Sequence, residues 1–148
     1  MNEKCVNTTR IIHLIIPQAC CIFYMMLSKK ILIIDDDRAL VFLLTKNIIE
    51  AGYEVISALD GVQGLRLAFQ EKPSLIVFDI RFPAGGGIET LKKLVASSKT
   101  MSTPVLIITS YDEPQIRQKV SEYNVAGFFV KPIDPKSLVN KIKEIVRD

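Results

Sequence analysis

The sequence predicts an α/β fold in which a parallel sheet carries helices on both faces. From residue 28 onward, five short apolar runs alternate with five segments that show helical spacing. Alternation of this kind is typical of parallel sheets, because each crossover between parallel strands is a helix that packs on a face of the sheet. Apart from Ser57 in the second run, these runs contain no polar residue, which indicates strands that are buried on both faces. The hydrophobic content of 49% agrees with such a sheet.

Each element follows from a local pattern in the sequence. The predicted strands are residues 31–34, 55–58, 75–78, 105–108 and 128–130. The first helix is predicted from an apolar face and from the glycine that ends it: Leu40, Leu43, Leu44, Ile48, Ala51 and Gly52. The second is predicted to begin at a capping aspartate and to carry four apolar residues: Asp60, Val62, Leu65, Leu67 and Phe69.

The remaining three helices are predicted in the same way. The third carries Ile88, Leu91, Leu94 and Val95, and the fourth, which is less apolar, covers about residues 113–123. Asp134 and Pro135 predict the start of the fifth helix, since aspartate favours the N-cap and proline the first helical position. This last helix is expected to bury Leu138, Ile142 and Ile145.

Residues 1–27 form an apolar N-terminal extension that does not match the rest of the chain. Its run IIHLIIPQACCIFYMML is shorter than a membrane helix and is interrupted by His13, Pro17 and Gln18. It also lacks the small residues of a signal-peptide cleavage site. Besides a membrane helix and a signal peptide, a third interpretation is that translation starts at Met25 or Met26. We favour this interpretation and expect the extension to be absent from the mature protein. Membrane association through residues 1–27 ranks second among the interpretations and is not expected. Residues 28–148 are predicted to form the domain.

Charge and cysteine content narrow the classes of function. The net charge is only +3, and the basic residues alternate with acidic ones, so direct binding to nucleic acid is not expected. The three cysteines, Cys5, Cys20 and Cys21, form no metal-binding or disulfide pattern, which is consistent with a cytoplasmic protein. His13 has no partner in the sequence pattern for a metal site or a catalytic dyad.

Polar residues follow four of the five predicted strands. Asp35 and Asp36 follow the first strand, Asp79 the third, Thr109 the fourth and Lys131 the fifth. Ligands of open parallel sheets bind at the carboxyl edge of the strands, so these side chains are expected to meet there. Each residue alone has a structural explanation, such as a helix cap, but their joint placement at one edge indicates a site.

The charges of this group predict its chemistry. Three neighbouring carboxylates require a cation, and Mg2+ with its preference for carboxylate, water and phosphate oxygens is the expected cofactor. A metal ion beside a carboxylate and a lysine favours phosphoryl transfer, which depends mainly on positioning and charge neutralisation. Asp79 is the candidate nucleophile, and Lys131 and Thr109 are the candidate ligands of the phosphoryl oxygens.

The chain from about residue 29 to residue 148 resembles the receiver domain of two-component response regulators. ILIIDDD is similar to the acidic-pair strand of that family, and LIVFDIRFPAGGG is similar to its phosphoacceptor strand and loop, with Pro83 and Gly87 at the family's spacing. VLIITS and GFFVKP resemble its threonine and lysine motifs. The resemblance implies a flavodoxin-like, doubly wound sheet of five parallel strands in the order 2-1-3-4-5, with five helices.

The resemblance also implies a role for each site residue. Asp79 would accept a phosphoryl group from a sensor histidine kinase or a histidine phosphotransfer protein. Asp36, Asp79 and the backbone carbonyl of Arg81 would bind Mg2+ directly, and Asp35 would bind it through a water molecule. Lys131 would pair with the phosphoryl group, and the peptide bond between Lys131 and Pro132 would be cis. Asp37, one place past the acidic pair, is expected to cap the first helix.

Signalling is a further implication of the resemblance. Thr109 and Phe128 would change conformation on phosphorylation and alter the face made by the fourth helix, the fifth strand and the fifth helix. That face would bind a downstream protein partner, and phosphorylation-dependent homodimerisation is an open alternative. Because the last predicted helix ends the sequence, we expect a stand-alone, chemotaxis-regulator-like receiver. Phe128 lacks a hydroxyl, so its switch is expected to depend on packing alone.

Arg81 and Tyr111 occupy positions that tune the phosphate lifetime in this family. We expect both side chains to alter the hydrolysis of phospho-Asp79 by restricting the attacking water. The chain is not expected to act as an enzyme on another substrate, since it would catalyse only its own phosphorylation and dephosphorylation. Two other functions stay open: a binding module with this fold that never accepts phosphate, and a hydrolase of small phosphate esters, for which the loops are short.

Overall fold

The computed structural model describes residues 28–83, 85–110 and 113–147. Within them, five strands alternate with five helices. The strands are β1 (Lys30–Ile34), β2 (Glu54–Ala58), β3 (Leu75–Asp79), β4 (Val105–Thr109) and β5 (Gly127–Val130). The helices are α1 (Arg38–Glu50), α2 (Gly61–Glu71), α3 (Gly87–Ala96), α4 (Pro114–Ser121) and α5 (Pro135–Ile145). The N-terminal extension, residues 1–27, and Tyr111 lie outside the described residues.

All five strands form one parallel sheet in the order β2-β1-β3-β4-β5. This confirms the predicted fold class and strand order. The order reverses beside β1, because β2 lies on one side of β1 and β3 lies on the other. The carboxyl ends of β1 and β3 are therefore adjacent at the place where such folds bind ligands.

The core consists of two apolar layers, one on each face of the sheet. One layer packs β1, β3 and β4 against α1 and α5, and includes Ile33, Val77, Leu44 and Ile142. The other packs the alternate residues of the same strands against α2, α3 and α4, and includes Ile34, Phe78, Leu94 and Val120. Burial on both faces explains why the three central strands are continuously apolar over residues 31–34, 75–78 and 105–108.

The helix caps follow the sequence closely. The carboxylates of Asp37, Asp60 and Asp134 accept hydrogen bonds from backbone N–H groups in the first turns of α1, α2 and α5. Gly52, with φ of 96°, follows α1, and the Tyr53 N–H donates to the carbonyl of Ile48 at 3.3 Å. This is the glycine-terminated helix end that the sequence predicts.

The structure corrects some details of the helix predictions. Leu43, predicted on the apolar face of α1, is 44% exposed, and Val62 of α2 is 81% exposed. Helix α4 ends at Ser121 rather than at residue 123, and Ile145 is only partly buried. Within the described ranges, no helix has the length and apolar character needed to cross a membrane.

Candidate functional site

The strand register brings the predicted site residues to one edge of the sheet. Ile34 of β1 pairs with Phe78 of β3. Asp35 and Asp79 follow these two residues and therefore lie side by side. Asp79 pairs with Ile108 on its other side, which places Thr109 one position beyond it. Because Thr109 pairs with Val130, Lys131 leaves β5 at the same edge.

Three carboxylates form a cluster at this edge. One oxygen from each of Asp35, Asp36 and Asp79 lies within 4.8 Å of the other two. Asp35 is fully buried, Asp79 is 2% exposed, and Asp36 is exposed to solvent. The cluster therefore has a buried floor and one solvent-facing member, which gives an ion access from one side.

Backbone amides and one lysine fix the two buried carboxylates. The N–H of Asp37 donates to Oδ1 of Asp35 at 2.8 Å, and the N–H of Arg81 donates to Oδ1 of Asp79 at 2.8 Å. Nζ of Lys131 lies 2.8 Å from Oδ2 of Asp35 and 2.7 Å from Oδ2 of Asp79. Each carboxylate thus has one oxygen held by its own loop and one that faces the ammonium group.

Burial and charge shift the pKa values in this group. Burial raises the pKa of Asp79, and the hydrogen bonds from Lys131 and from the Arg81 N–H limit that rise. Burial lowers the pKa of Lys131, but its contacts with Asp35 and Asp79 outweigh burial, so the pKa is raised. Lys131 is therefore an ammonium ion at neutral pH.

The residues present fit a divalent cation. Oδ2 of Asp35 is buried and accepts no hydrogen bond of acceptable geometry from the described residues. Its contact with Nζ of Lys131 is an ion pair only. Three carboxylates beside one ammonium leave an excess of negative charge that a divalent ion would neutralise. Asp35, Asp36 and Asp79 are the side chains that would hold it. The role of the Arg81 carbonyl stays a prediction.

Thr109 and Phe128 lie where the sequence predicts them. Thr109 is fully buried at the end of β4, and its carbonyl accepts a hydrogen bond from the Lys131 N–H at 2.8 Å. The Lys131–Pro132 peptide bond is cis, as the resemblance implies. Phe128 is half-buried, and Cζ of Arg117 lies 4.5 Å from the centre of its ring. The structure thus adds a cation–π contact to the packing that the sequence predicts for Phe128.

An ion pair that the sequence does not predict lies beside the site. Nη2 of Arg81 is 2.8 Å from Oε1 of Glu113, which immediately precedes α4. From the sequence, Glu113 is predicted only as the start of a helix. No spacing rule connects two residues on different loops, so their opposite charges are the only available signal.

Gly87 has a steric role next to the loop that follows Asp79. A Cβ at this position would lie 1.8 Å from the carbonyl oxygen of Ile80, the residue that follows Asp79. Only glycine allows α3 to begin this close to the end of β3. The glycine at the family's spacing is thus explained by a backbone contact.

Comparison with known protein families agrees with this geometry. The family model of the response regulator receiver domain matches residues 31–143. The chain belongs to the response regulator receiver family. The receiver is 36% identical over 109 residues to the alkaline phosphatase synthesis transcriptional regulatory protein PhoP of Bacillus subtilis, a match that covers 74% of this chain and 45% of PhoP. The receiver thus spans less than half the length of that relative.

Other relatives are closer to the receiver in length. Protein PilH of Pseudomonas aeruginosa is 29% identical, and the match covers 72% of this chain and 88% of PilH. Among solved structures, the chemotaxis protein CheY4 of Vibrio cholerae aligns with a TM-score of 0.74 and 28% identity, over 80% of this chain and 98% of CheY4. A CheY-like receiver domain protein from Methanospirillum hungatei aligns with a TM-score of 0.75 and 29% identity, over 80% of this chain and 94% of the Methanospirillum chain.

Proposed function

We propose that this receiver accepts a phosphoryl group on Asp79 from a phosphohistidine of a sensor histidine kinase or of a histidine phosphotransfer protein. The observation that carries the proposal is the contact of one ammonium group, Lys131, with two buried carboxylates, Asp35 and Asp79. Structural ion pairs are seldom built with two buried acids, because the desolvation cost exceeds the gain unless another positive charge arrives. The chain would act on no other substrate, since the phosphoryl group passes only to and from its own side chain.

Transfer of the phosphoryl group to Asp79 would exchange one bond to phosphorus for another. A carboxylate oxygen of Asp79 would form a bond to phosphorus while the bond from phosphorus to the imidazole nitrogen of the donor breaks. The donor histidine keeps the electron pair of that bond. When bound, Mg2+ would neutralise the charge of the phosphoryl oxygens.

Lys131 and Thr109 would stabilise the transferred group. The ammonium of Lys131 already lies 2.7 Å from Oδ2 of Asp79, so it would contact a phosphoryl oxygen attached there. Thr109 lies one position beyond the residue of β4 that pairs with Asp79, so its hydroxyl is a candidate donor to the same group. Arg81 and Tyr111 would restrict the water that later hydrolyses the acyl phosphate.

The signal would leave through the surface formed by α4, β5 and α5. Support comes from Phe128 on β5, which contacts Arg117 of α4 and lies three residues before Lys131. A shift of Thr109 or Lys131 toward the phosphoryl group would change the space around Phe128. A downstream protein would then recognise the changed surface, with a second copy of the chain as the alternative partner and no direct contact with nucleic acid.

Intact mass after incubation with acetyl phosphate tests the proposal. We expect a gain of one phosphoryl group that requires Mg2+ and is absent in Asp79→Asn. Asp60→Asn is the matched control, because this exposed aspartate only caps α2. No gain in a folded wild-type protein would contradict the proposal and would favour a binding module that never accepts phosphate. A gain that persists in Asp79→Asn would place the phosphoryl group elsewhere.

A further inference from the structure

We propose that Glu113 is a positioning residue that holds the guanidinium of Arg81 at the entrance to the phosphoacceptor site and thereby lengthens the lifetime of phospho-Asp79. This inference rests on the proposed function, because it concerns the hydrolysis of the phosphorylated state. It assigns a role to a residue that lies outside the predicted site.

The ion pair connects the two loops between which phosphate would be bound. Arg81 lies two residues after Asp79, and its N–H donates to Oδ1 of Asp79 at 2.8 Å. Its guanidinium reaches away from β3 to Oε1 of Glu113, at 2.8 Å. Glu113 belongs to the segment between Thr109 and α4. The pair therefore bridges the ends of β3 and β4, the strands that carry Asp79 and Thr109.

Exposure places this bridge on the solvent side of the site. Asp79 and Thr109 are almost fully buried, whereas the side chains of Arg81 and Glu113 are 43% and 45% exposed. A water molecule that approaches Asp79 between β3 and β4 would therefore pass the ion pair. The guanidinium is large and planar, so its position affects how much of this path is open.

The side chain of Glu113 binds Arg81 and does not cap the helix that follows it. The carboxylates of Asp37, Asp60 and Asp134 all cap the helices that they precede. Glu113 stands at the N-cap of α4, but its side chain makes no capping hydrogen bond. Its carbonyl accepts hydrogen bonds from the N–H groups of Ile116 and Arg117, at 3.0 and 3.1 Å, so its backbone is fixed by α4.

A fixed acceptor reduces the freedom of a long side chain. Loss of Glu113 removes one acceptor of the Arg81 guanidinium, so this group would sample more rotamers and would leave the entrance for part of the time. In hydrolysis, a water oxygen bonds to phosphorus as the bond from phosphorus to the Asp79 oxygen breaks. The carboxylate is regenerated, and the water's proton passes to the phosphate that leaves. A guanidinium held at the entrance would slow this step by obstructing the water.

The test is the decay rate of phospho-Asp79 after acetyl phosphate has been removed, followed by intact mass in the presence of Mg2+. We expect Glu113→Gln to accelerate decay about two- to fivefold, the scale of an exposed ion pair. Arg81→Ala should also accelerate decay, and the double variant should be no faster than Arg81→Ala alone. Non-additivity of this kind is the signature of two residues that act as one unit.

Two further measurements separate positioning from a general structural effect. Exchange of the charges in Arg81→Glu/Glu113→Arg should restore part of the wild-type lifetime. Higher salt should shorten the lifetime of the wild type more than that of Glu113→Gln, because screening weakens only an existing ion pair. The matched control is Glu144→Gln, which removes the charge of an exposed glutamate paired with Lys141 on α5. It should leave the decay rate unchanged.

The outcomes distinguish this inference from the function on which it rests. Equal decay rates for wild type and Glu113→Gln, after normal phosphorylation of both, would overturn the role of Glu113 and leave the proposed function intact. Additive effects of Arg81→Ala and Glu113→Gln would overturn it as well. Absence of any phosphorylation of the wild type at Asp79 would overturn both.

Discussion

At the scale of single residues, the site contains charges that a folding core alone would avoid. Asp35 and Asp79 are buried side by side, and burial of like charges is unfavourable unless a counter-charge is present. Lys131 supplies one positive charge to both. Sites that break a local rule of stability are usually functional, so the arrangement agrees with the proposed phosphoacceptor.

Replacement of Lys131 by methionine should destabilise the fold strongly. It leaves two buried carboxylates without their ammonium, and loss of one member of a buried ion pair costs about 3–5 kcal/mol in the free energy of unfolding. Urea denaturation at pH 7 with EDTA would measure it. Lys141→Met is the matched control, because Lys141 pairs with the exposed Glu144 at the surface of α5, so its effect should stay within about 0.5 kcal/mol.

The loss in Lys131→Met should shrink as the pH falls. Burial raises the pKa of Asp79, and its contact with Lys131 opposes that rise, so the pKa should increase further in the variant. A carboxyl group with a raised folded pKa lowers stability once it ionises, and this penalty shrinks as the pH falls through the folded pKa toward the pKa of the unfolded chain. We therefore expect a smaller loss at pH 5 than at pH 7. A loss independent of pH would contradict this account.

Replacement of Gly87 by alanine should also be costly, for a steric reason. The new Cβ would meet the carbonyl oxygen of Ile80, and backbone cannot move aside as a side chain can. We expect a loss of about 3 kcal/mol or more in the free energy of unfolding. Gly61→Ala is the control, since the three atoms nearest to its Cβ would all belong to the side chain of Thr90 rather than to backbone. Similar losses in the two variants would show that the backbone contact is not decisive.

At the scale of elements, helix α4 contacts both β5 and the loop that follows β3. Arg117 lies over the ring of Phe128, and Glu113, one turn earlier, holds Arg81. The start of helix α4 is therefore linked to the loop that follows Asp79, and its middle contacts the aromatic ring on β5. The signalling route proposed above, from Asp79 to the α4–β5–α5 surface, would use these two contacts.

The Arg117–Phe128 contact should appear as a coupling energy. We expect a double-mutant cycle of Arg117→Ala and Phe128→Leu to give about 0.5–1 kcal/mol, the range of exposed cation–π contacts. Denaturant unfolding of the four proteins would measure it. The control cycle pairs Phe128→Leu with Lys119→Ala, an exposed residue of the same helix, and should be additive. Equal coupling in both cycles would rule out a specific contact.

At the scale of the whole molecule, all five strands and five helices of the described residues lie between Lys30 and Ile145. The strand β1 occupies a central place, with β2 on one side and β3 on the other. Its residues contribute to both apolar layers. The integrity of the domain therefore depends on β1.

Removal of residues 1–25 should leave a folded protein. We expect the far-ultraviolet circular dichroism to keep its α/β character and the free energy of unfolding to change by less than about 0.5 kcal/mol. Removal of residues 1–34 is the contrasting variant, because it deletes β1 and should abolish cooperative unfolding. Loss of folding in the shorter deletion would show that the extension contributes to the domain.

The sequence by itself determined the elements, their order and most of the site. Strand and helix positions depend on periodicity and on caps such as Asp37 and Asp134, which are local signals. Parallel strands bring their carboxyl ends to one edge, so the order of strands and polar residues along the chain suffices to group Asp35, Asp79 and Lys131. The strand order follows from the resemblance to receivers.

Only the tertiary structure decided which side chains touch across elements. The pairing of Arg81 with Glu113, the stacking of Arg117 on Phe128 and the exposure of Val62 all depend on how loops and helices approach one another. Periodicity identifies an apolar face but not the width of the surface that covers it. Contacts between distant residues arise from three-dimensional packing, and no local spacing encodes them.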